Sequence, residues 1–208
     1  MTPRGFVATL ALAASAVSLG ACAATPERPL IDDDQRAAVR SHILNGHWDI
    51  VASQYPEAIR PDVAVLHTVP DHEWAQAVVD CLVDHGIRAR AGGTGVHYAG
   101  SAGLTQLEYA VVNYTCSVQH PAETTVARLL GPRVVEADYR FHVDIVRPCL
   151  LIAGAPSPAS PNRELADGVD GLAGWNPFQV IWAKYPLGTV LYWERRCPPV
   201  PDWLNLGS

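Results

Sequence analysis

A nine-residue pattern built around a cysteine occurs twice in this chain and constrains its fold more than any other feature. Residues 78–86 and 146–154 both read Val-x-x-Cys-Leu-x-x-x-Gly, which is typical of a helix that carries a cysteine near its end and stops at a glycine. Each copy is followed by an aromatic-rich helix that ends in a second cysteine, Cys116 or Cys197. The repeat therefore predicts two related modules, each closed by a disulfide bond.

The economical pairing joins Cys81 to Cys116 and Cys149 to Cys197, because each bond then ties the first helix of a module to its last. A disulfide that closes a loop of this length stabilises a fold by about 4 kcal/mol in the chain-entropy model. Four cysteines allow three pairings, so bonds that cross between the modules stay open. A zinc site is disfavoured, because no two cysteines are close together and the chain has no Cys-x-x-Cys.

The first 21 residues have the composition of a secretory signal peptide. Arg4 precedes an uncharged, mostly apolar run (6–19), which is too short to cross a ~30 Å hydrocarbon core as a helix. The run ends in Leu19-Gly20-Ala21-Cys22, which resembles a lipobox. We expect cleavage before Cys22, a lipid on its thiol and a tether over residues 22–31. An ordinary signal peptide with a chance cysteine is the alternative.

Export out of the cytoplasm affects both the expected oxidation state of the cysteines and the kinds of partner the protein can meet. Disulfides persist outside the cytoplasm, so four cysteines beyond Cys22 favour two bonds. The whole chain has a formal charge of −6, and loss of Arg4 (+1) with the signal leaves −7. Since no basic residues cluster, we expect no nucleic-acid partner. The expected location is the extracytoplasmic face of the cell membrane, held there by the lipid on Cys22; a protein or small-molecule partner stays unknown.

The hydrophobic patterns predict an α+β fold, mainly helical with short antiparallel hairpins. The first module is expected over residues 32–120 and the second over 121–208. Predicted helices run from the acidic opening at 32–34 to about Gln54, then over 73–85 with Asp71 as N-cap, 104–116, 134–153 with a kink or split at Pro148, a short stretch from Arg163, and 187–196. Predicted strands are 62–68, 87–91 and 96–99, and residues 124–130 fit a short helix or a strand.

Several motifs resemble a group of predicted lipoproteins of actinobacteria. They are the lipobox, Trp-x-x-x-x-x-x-Cys-Leu (74–82), a Tyr-rich helix reaching a cysteine (109–116), Val-Asp-x-x-x-Pro-Cys-Leu (143–150) and Cys197-Pro198. The resemblance covers about residues 45–201. It departs at residues 151–153, where Leu-Ile-Ala stands in place of charged residues. The group has no assigned activity or binding residues, so the resemblance implies no chemistry.

Ser101 is the candidate for enzymatic chemistry. Ala99-Gly100-Ser101-Ala102-Gly103 resembles a nucleophile elbow between a predicted strand and a helix, and Asp138, Asp144 and a histidine (His142 or His120) are available as partners. However, an α/β-hydrolase sheet needs more chain than this, and a small-residue connection that caps the helix explains the segment. The leading function is therefore non-enzymatic binding or envelope structure, and the alternative is a small envelope serine hydrolase using Ser101.

We expect no metal and no cofactor from the sequence. The closest histidine pairs, His67/His72 and His42/His47, are five residues apart, so neither pair shares a helical face, and surface histidines are the simpler interpretation. Asp71-His72-Glu73 is interpreted as helix capping. Most tryptophans are expected in the core, but three lie in Pro-flanked irregular segments typical of a ligand groove. These three are Trp175, Trp182 and Trp203.

Overall fold

The computed structural model describes residues 28–92, 95–101, 103–161 and 175–207. The predicted signal peptide, Cys22, most of the tether and the short helix expected from Arg163 lie outside these residues. The described helices are α1 (Asp33–Gln54), α2 (Asp71–Asp84), α3 (Gln106–Gln119), α4 (Glu123–Leu130), α5 (Pro132–Phe141), α6 (Arg147–Ile152), α7 (Gln179–Lys184) and α8 (Leu187–Arg196). Strands β1 (Ile87–Gly92) and β2 (Gly95–Ser101) form an antiparallel hairpin. The mainly helical α+β class is confirmed.

Helix α1 supplies one wall of the largest core. It begins with a capping box, in which the Asp32 side chain accepts from the Gln35 N–H at 2.7 Å and the Gln35 side chain accepts from the Asp32 N–H at 3.0 Å. Val39, Ile43 and Val51 of α1 are buried. Their partners in the cluster come from α3, α4, α5 and the C-terminal segment and include Tyr114, Val118, Val126, Val134, Val135, Trp203, Leu204 and Leu206.

The C-terminal segment is bound to the N-terminal half of the chain. The Thr68 hydroxyl donates to the Leu204 carbonyl at 2.8 Å and accepts from the Leu206 N–H at 3.3 Å. The Arg40 guanidinium donates to the Leu206 carbonyl at 2.8 Å. Because the main core also contains residues from both sides of position 120, the two predicted modules share it. The division into modules at that position stays a prediction.

The two disulfides pair as the repeat predicts. Cys81–Cys116 ties α2 to α3, and Cys149–Cys197 ties α6 to the end of α8. Around the second bond lies a separate buried cluster, which contains Val146, Leu150, Ala155, Phe178, Ile181, Val190, Trp193 and Cys197. The predicted pairing is therefore confirmed, and each bond sits at the junction of two helices.

The strand predicted at residues 62–68 is wrong. Residues 62–68 form no strand, and the Leu66 N–H donates to the Gln119 carbonyl at the end of α3 at 2.8 Å. Just beyond the segment, Val69 forms an isolated parallel bridge with Ala122: its N–H donates to the Pro121 carbonyl at 3.0 Å, and its carbonyl accepts from the Glu123 N–H at 2.9 Å. A ladder does not continue, because Pro121 has no N–H to donate and α4 begins two residues later. Residues 124–130, left open between helix and strand, are helical.

The long helix predicted over 134–153 is divided into α5, a π-helical turn (His142–Val146) and α6. Pro148 lacks the N–H that a regular helix would donate to the Asp144 carbonyl, and the chain widens in the turn just before it. The predicted kink is therefore present as a π turn. No described helix combines the length and the apolar character needed to cross a bilayer.

Candidate functional site

Two carboxylates and a histidine meet in the interior where α4, α5 and the π turn pack together. Glu123 is the first residue of α4, Asp138 lies on α5, and His142 opens the π turn one helical turn after Asp138. The three residues are only 2 %, 7 % and 3 % exposed. One donor atom from each residue can be chosen so that all three atoms lie within 4.8 Å of one another. We call this group the buried triad.

The buried triad has few hydrogen-bond donors. Glu123 Oε1 and Asp138 Oδ1 are buried and have no hydrogen-bond partner among the described residues. His142 Nε2 lies 2.9 Å from the Pro199 carbonyl and 3.6 Å from Glu123 Oε1, while Nδ1 lies 3.9 Å from Asp138 Oδ1. A carbonyl only accepts, so Nε2 carries a proton and donates it to Pro199. In the neutral ring, Nδ1 then carries no proton, and its lone pair is on the side of Asp138.

The electrostatics of the triad favour protonated acids unless a cation is present. Burial raises the pKa of Glu123 well above its usual range, and the Asp138 and Asp71 carboxylates raise it further. Burial also raises the pKa of Asp138, although His142 and Glu123 oppose that shift. Asp71 itself is engaged by Thr124, whose N–H donates to Asp71 Oδ1 at 3.0 Å and whose hydroxyl donates to Oδ2. The site therefore holds excess negative charge or bound protons.

A small chamber of about 120 Å³ adjoins the triad. Its walls include the indoles of Trp175 and Trp182, and the Trp175 Nε1 is buried without a hydrogen-bond partner among the described residues. The rest of its lining is polar: Asp71, Glu123, Thr124, Asp138, His142, Asn176 and Gln179. None of these residues is a lysine or an arginine.

A larger open cleft of about 850 Å³ lies on the other side of the start of α2. Four histidines and four acidic residues line it, namely His67, His72, His85, His120, Glu73, Asp80, Asp84 and Glu194. Apolar side chains of α8, Leu187 and Leu191, complete one wall. Burial lowers the pKa of His120, and the His67 ring, 4.5 Å away, lowers it further.

Glu194 is the most constrained acid of this cleft. His72 Nε2 lies 2.7 Å from Glu194 Oε1, and the Trp182 indole N–H donates to the same oxygen at 3.1 Å. The His72 and Trp182 rings stack with centroids 3.4 Å apart. Although burial opposes the shift, hydrogen bonding and attraction from His72 lower the pKa of Glu194. Burial and the neighbouring Glu194 carboxylate raise the pKa of Glu73 to about 7.

The residues predicted from sequence are placed as follows. Trp175 and Trp182 line the chamber, whereas Trp203 lies in the main core. Ser101 is the last residue of β2 and pairs with Ile87, but its side chain lies outside the described part, as does Cys22. The serine hydrolase and the lipid attachment therefore stay predictions.

Asp71 does not cap α2, because α2 begins at Asp71 itself and Pro70 is the N-cap. Its carboxylate reaches across to α4, while His72 and Glu73 face the cleft. Asp138 and His142 were named from the sequence only as possible partners of Ser101; the structure places both in the buried triad and His120 in the cleft. They were not connected with Glu123, because possible metal ligands were sought only among pairs of histidines. The spacing of Asp138 and His142, four residues apart on one helical face, is the signal that was available.

Neither a protein-family model, nor a curated protein, nor a solved structure matches this chain.

Proposed function

We propose that this chain is a lipid-anchored extracytoplasmic binding protein, non-enzymatic, that takes a small organic amine in the cleft beside α2. The observation that carries the proposal is the lining of the cleft: four carboxylates and four histidines, with no lysine or arginine among the described lining residues. Anchoring through Cys22 and the extracytoplasmic location follow from the lipobox and signal pattern.

The acids of α2 form a row along the cleft. Gln76, Asp80 and Asp84 follow one another at four-residue intervals, so they share one helical face. The Gln76 amide donates to Asp80 Oδ1 at 2.7 Å, which orients that carboxylate. A chain of carboxylates at this spacing suits a ligand with more than one ammonium group, because each group finds a charge-assisted hydrogen bond.

The opposite wall fits the carbon chain of such a ligand. Leu187 is 70 % and Leu191 38 % exposed, and both border the cleft. Glu194, held by His72 and Trp182, supplies a fixed carboxylate beside them. An aliphatic amine covers the leucines and neutralises the acids at once, which favours it over a bare cation in this open cleft.

Calorimetric titration with spermidine, as the probe, tests the proposal. Replacing both α2 acids (Asp80→Asn with Asp84→Asn) is expected to weaken binding about 100-fold or more, because each of the two lost charge-assisted bonds is worth about 1.5–3 kcal/mol. The matched control changes the same charge elsewhere, with Asp49→Asn and Glu57→Gln on exposed residues, and is expected to stay within about 2-fold. Equal losses in both double variants would mean that spermidine follows net charge and the cleft is not its site.

The binding should also depend on pH through Glu73. Its pKa of about 7 means that it loses a proton between pH 6 and pH 8 and adds a negative charge to the cleft. Affinity for spermidine is therefore expected to rise across this range, and Glu73→Gln should flatten the rise. A wild-type affinity that falls from pH 6 to pH 8 would contradict the assignment of the cleft.

A further inference from the structure

The structure assigns a second, separate role to the buried triad: we propose that Glu123, Asp138 and His142 bind a divalent transition-metal ion of the Mn²⁺ to Zn²⁺ series. None of these three residues lines the amine cleft, and the proposal does not rest on the proposed function. The inference rests on the unpaired buried oxygens, the orientation of His142 and the chamber beside them.

Unpaired charge in the interior is the first argument. Glu123 Oε1 and Asp138 Oδ1 are buried and have no N–H or hydroxyl donor among the described residues. The two carboxyl groups can hydrogen-bond each other, but only when one of them holds a proton. Burying both as carboxylates without compensation is costly. Asp71 adds a third negative charge nearby. No lysine or arginine lines the chamber among the described residues. A bound cation satisfies both oxygens and neutralises the cluster.

The orientation of His142 is the second argument. Histidines that bind metals usually donate their other ring N–H to a carbonyl or carboxylate, which fixes the tautomer. His142 Nε2 makes this bond to the Pro199 carbonyl at 2.9 Å, so Nδ1 is the ligand atom. When the His142 ring is neutral and Asp138 is ionised, Nδ1 and Asp138 Oδ1 face each other at 3.9 Å as two acceptors. A cation placed between them would be bound by both.

A metal in this site requires the side chains to rearrange. Two ligand atoms at ~2.1 Å from one tetrahedral ion are ~3.4 Å apart. His142 Nδ1 and Asp138 Oδ1 are 3.9 Å apart and need only a small contraction. Glu123 Oε1 lies 3.6 Å from the other ring nitrogen, Nε2, so the Glu123 side chain has to rotate towards Nδ1 to join them. Ligand atoms of the three residues already lie within 4.8 Å of one another. His142 also stands on a π turn, a widened helical turn that is frequent at functional sites.

The donor set decides the class of ion. Two carboxylates and one imidazole suit Mn²⁺, Fe²⁺ or Zn²⁺, whereas Ca²⁺ and Mg²⁺ prefer a full set of oxygens. Asp71 is held by Thr124 and therefore acts by its charge, not as a ligand. Three protein ligands leave at least one position open towards the chamber, where Trp175 and Trp182 form the walls.

Thermal unfolding of the full chain tests the proposal, after purification from membranes in detergent and removal of metals with EDTA. Addition of ZnCl₂ or MnCl₂ at about one hundred times its dissociation constant is expected to raise Tm by about 5–10 °C, and CaCl₂ and MgCl₂ by much less. Absence of any shift across the series would show that the triad holds protons alone and would overturn the proposal.

Substitutions separate the triad from the cleft, which also contains a His–Glu pair. Glu123→Gln and His142→Gln are expected to weaken metal binding by at least about 100-fold. The matched controls Glu194→Gln and His72→Gln remove the cleft pair and are expected to change metal affinity less than about 3-fold. Loss of the metal response in the controls, or its survival in Glu123→Gln, would place the ion elsewhere. Spermidine binding should be unchanged in the triad variants, so failure of either proposal is visible separately.

The Tm of metal-free Glu123→Gln shows whether the substitution itself disturbs folding. Because burial raises the pKa of the Glu123 carboxyl above its value in the unfolded chain, this group costs stability progressively as pH rises above the usual range of a glutamate, and a neutral amide avoids this cost. Metal-free Glu123→Gln should therefore melt no lower than the metal-free wild type at pH 8. A lower Tm would show that the carboxylate itself stabilises the fold, and the proposal would fail.

Discussion

At the scale of single residues, a buried polar group stabilises the fold where it has hydrogen-bond partners and is a candidate for ligand binding where it has none. Thr68 and Glu123 are both buried polar residues with exposed fractions of 7 % and 2 %. The Thr68 hydroxyl uses its donor and an acceptor on the C-terminal segment, so it stabilises the fold. Glu123 Oε1 has no such partner among the described residues, and that is why it is a candidate for binding.

Thr68→Val is predicted to destabilise the protein by about 2–3 kcal/mol, because it leaves the buried Leu204 carbonyl and Leu206 N–H unpaired. Thr115→Val is the matched control, since Thr115 only donates to the Val111 carbonyl of its own helix and should cost less than about 1 kcal/mol. Urea unfolding measures both values. Similar costs for the two variants would contradict the role given to Thr68.

At the scale of elements, a predicted helix boundary matches the observed one where the sequence itself contains residues that start or end a helix. Helix α8 begins and ends where the sequence predicts, between Pro186 and Cys197, and α1 begins at the acidic opening. The predicted strand at 62–68 failed, because an extended segment becomes a strand only when a partner offers a continuous row of donors and acceptors. Pro121 removes one of those donors.

The bond between α6 and α8 carries much of the stability of the smaller core. Replacing Cys149 and Cys197 by alanine is predicted to cost about 4 kcal/mol, because the bond closes a loop with a sequence separation of 48 residues in the unfolded chain. Replacing Cys81 and Cys116, separated by 35 residues, should cost nearly as much. The change in the free energy of unfolding, measured in urea, checks both. A loss below about 1 kcal/mol would show that core packing alone holds α8.

At the scale of the whole molecule, the C-terminal segment joins the two halves. Trp203, Leu204 and Leu206 complete the core around α1, and Arg40 of α1 binds the Leu206 carbonyl. The cleft and the triad lie on opposite sides of the start of α2, where Asp71 and His72 point to different sites. Trp182 lines the chamber and stacks on His72, so it contributes to both sites.

The lipid anchor is a prediction about the whole protein. Cys22→Ala is expected to move the protein from the membrane fraction to the soluble extracytoplasmic fraction, because it removes the acylated thiol. Mass spectrometry of the wild-type mature protein should show an N-terminal Cys22 with added acyl mass and two disulfides. Full-length protein with unmodified Cys22 would contradict both export and anchoring.

The sequence by itself determined the features that depend on neighbouring residues: the helical character and the hairpin at the glycines. The repeat favoured the pairing of Cys81 with Cys116 and of Cys149 with Cys197 but left crossed bonds open, and the structure decided between them. Tertiary structure alone decided the two sites. Glu123, Asp138 and the Pro199 carbonyl meet His142 from separate segments, and burial there shifts the pKa values of the two acids. Desolvation and long-range partners arise only when the chain is packed, so no local pattern contains them.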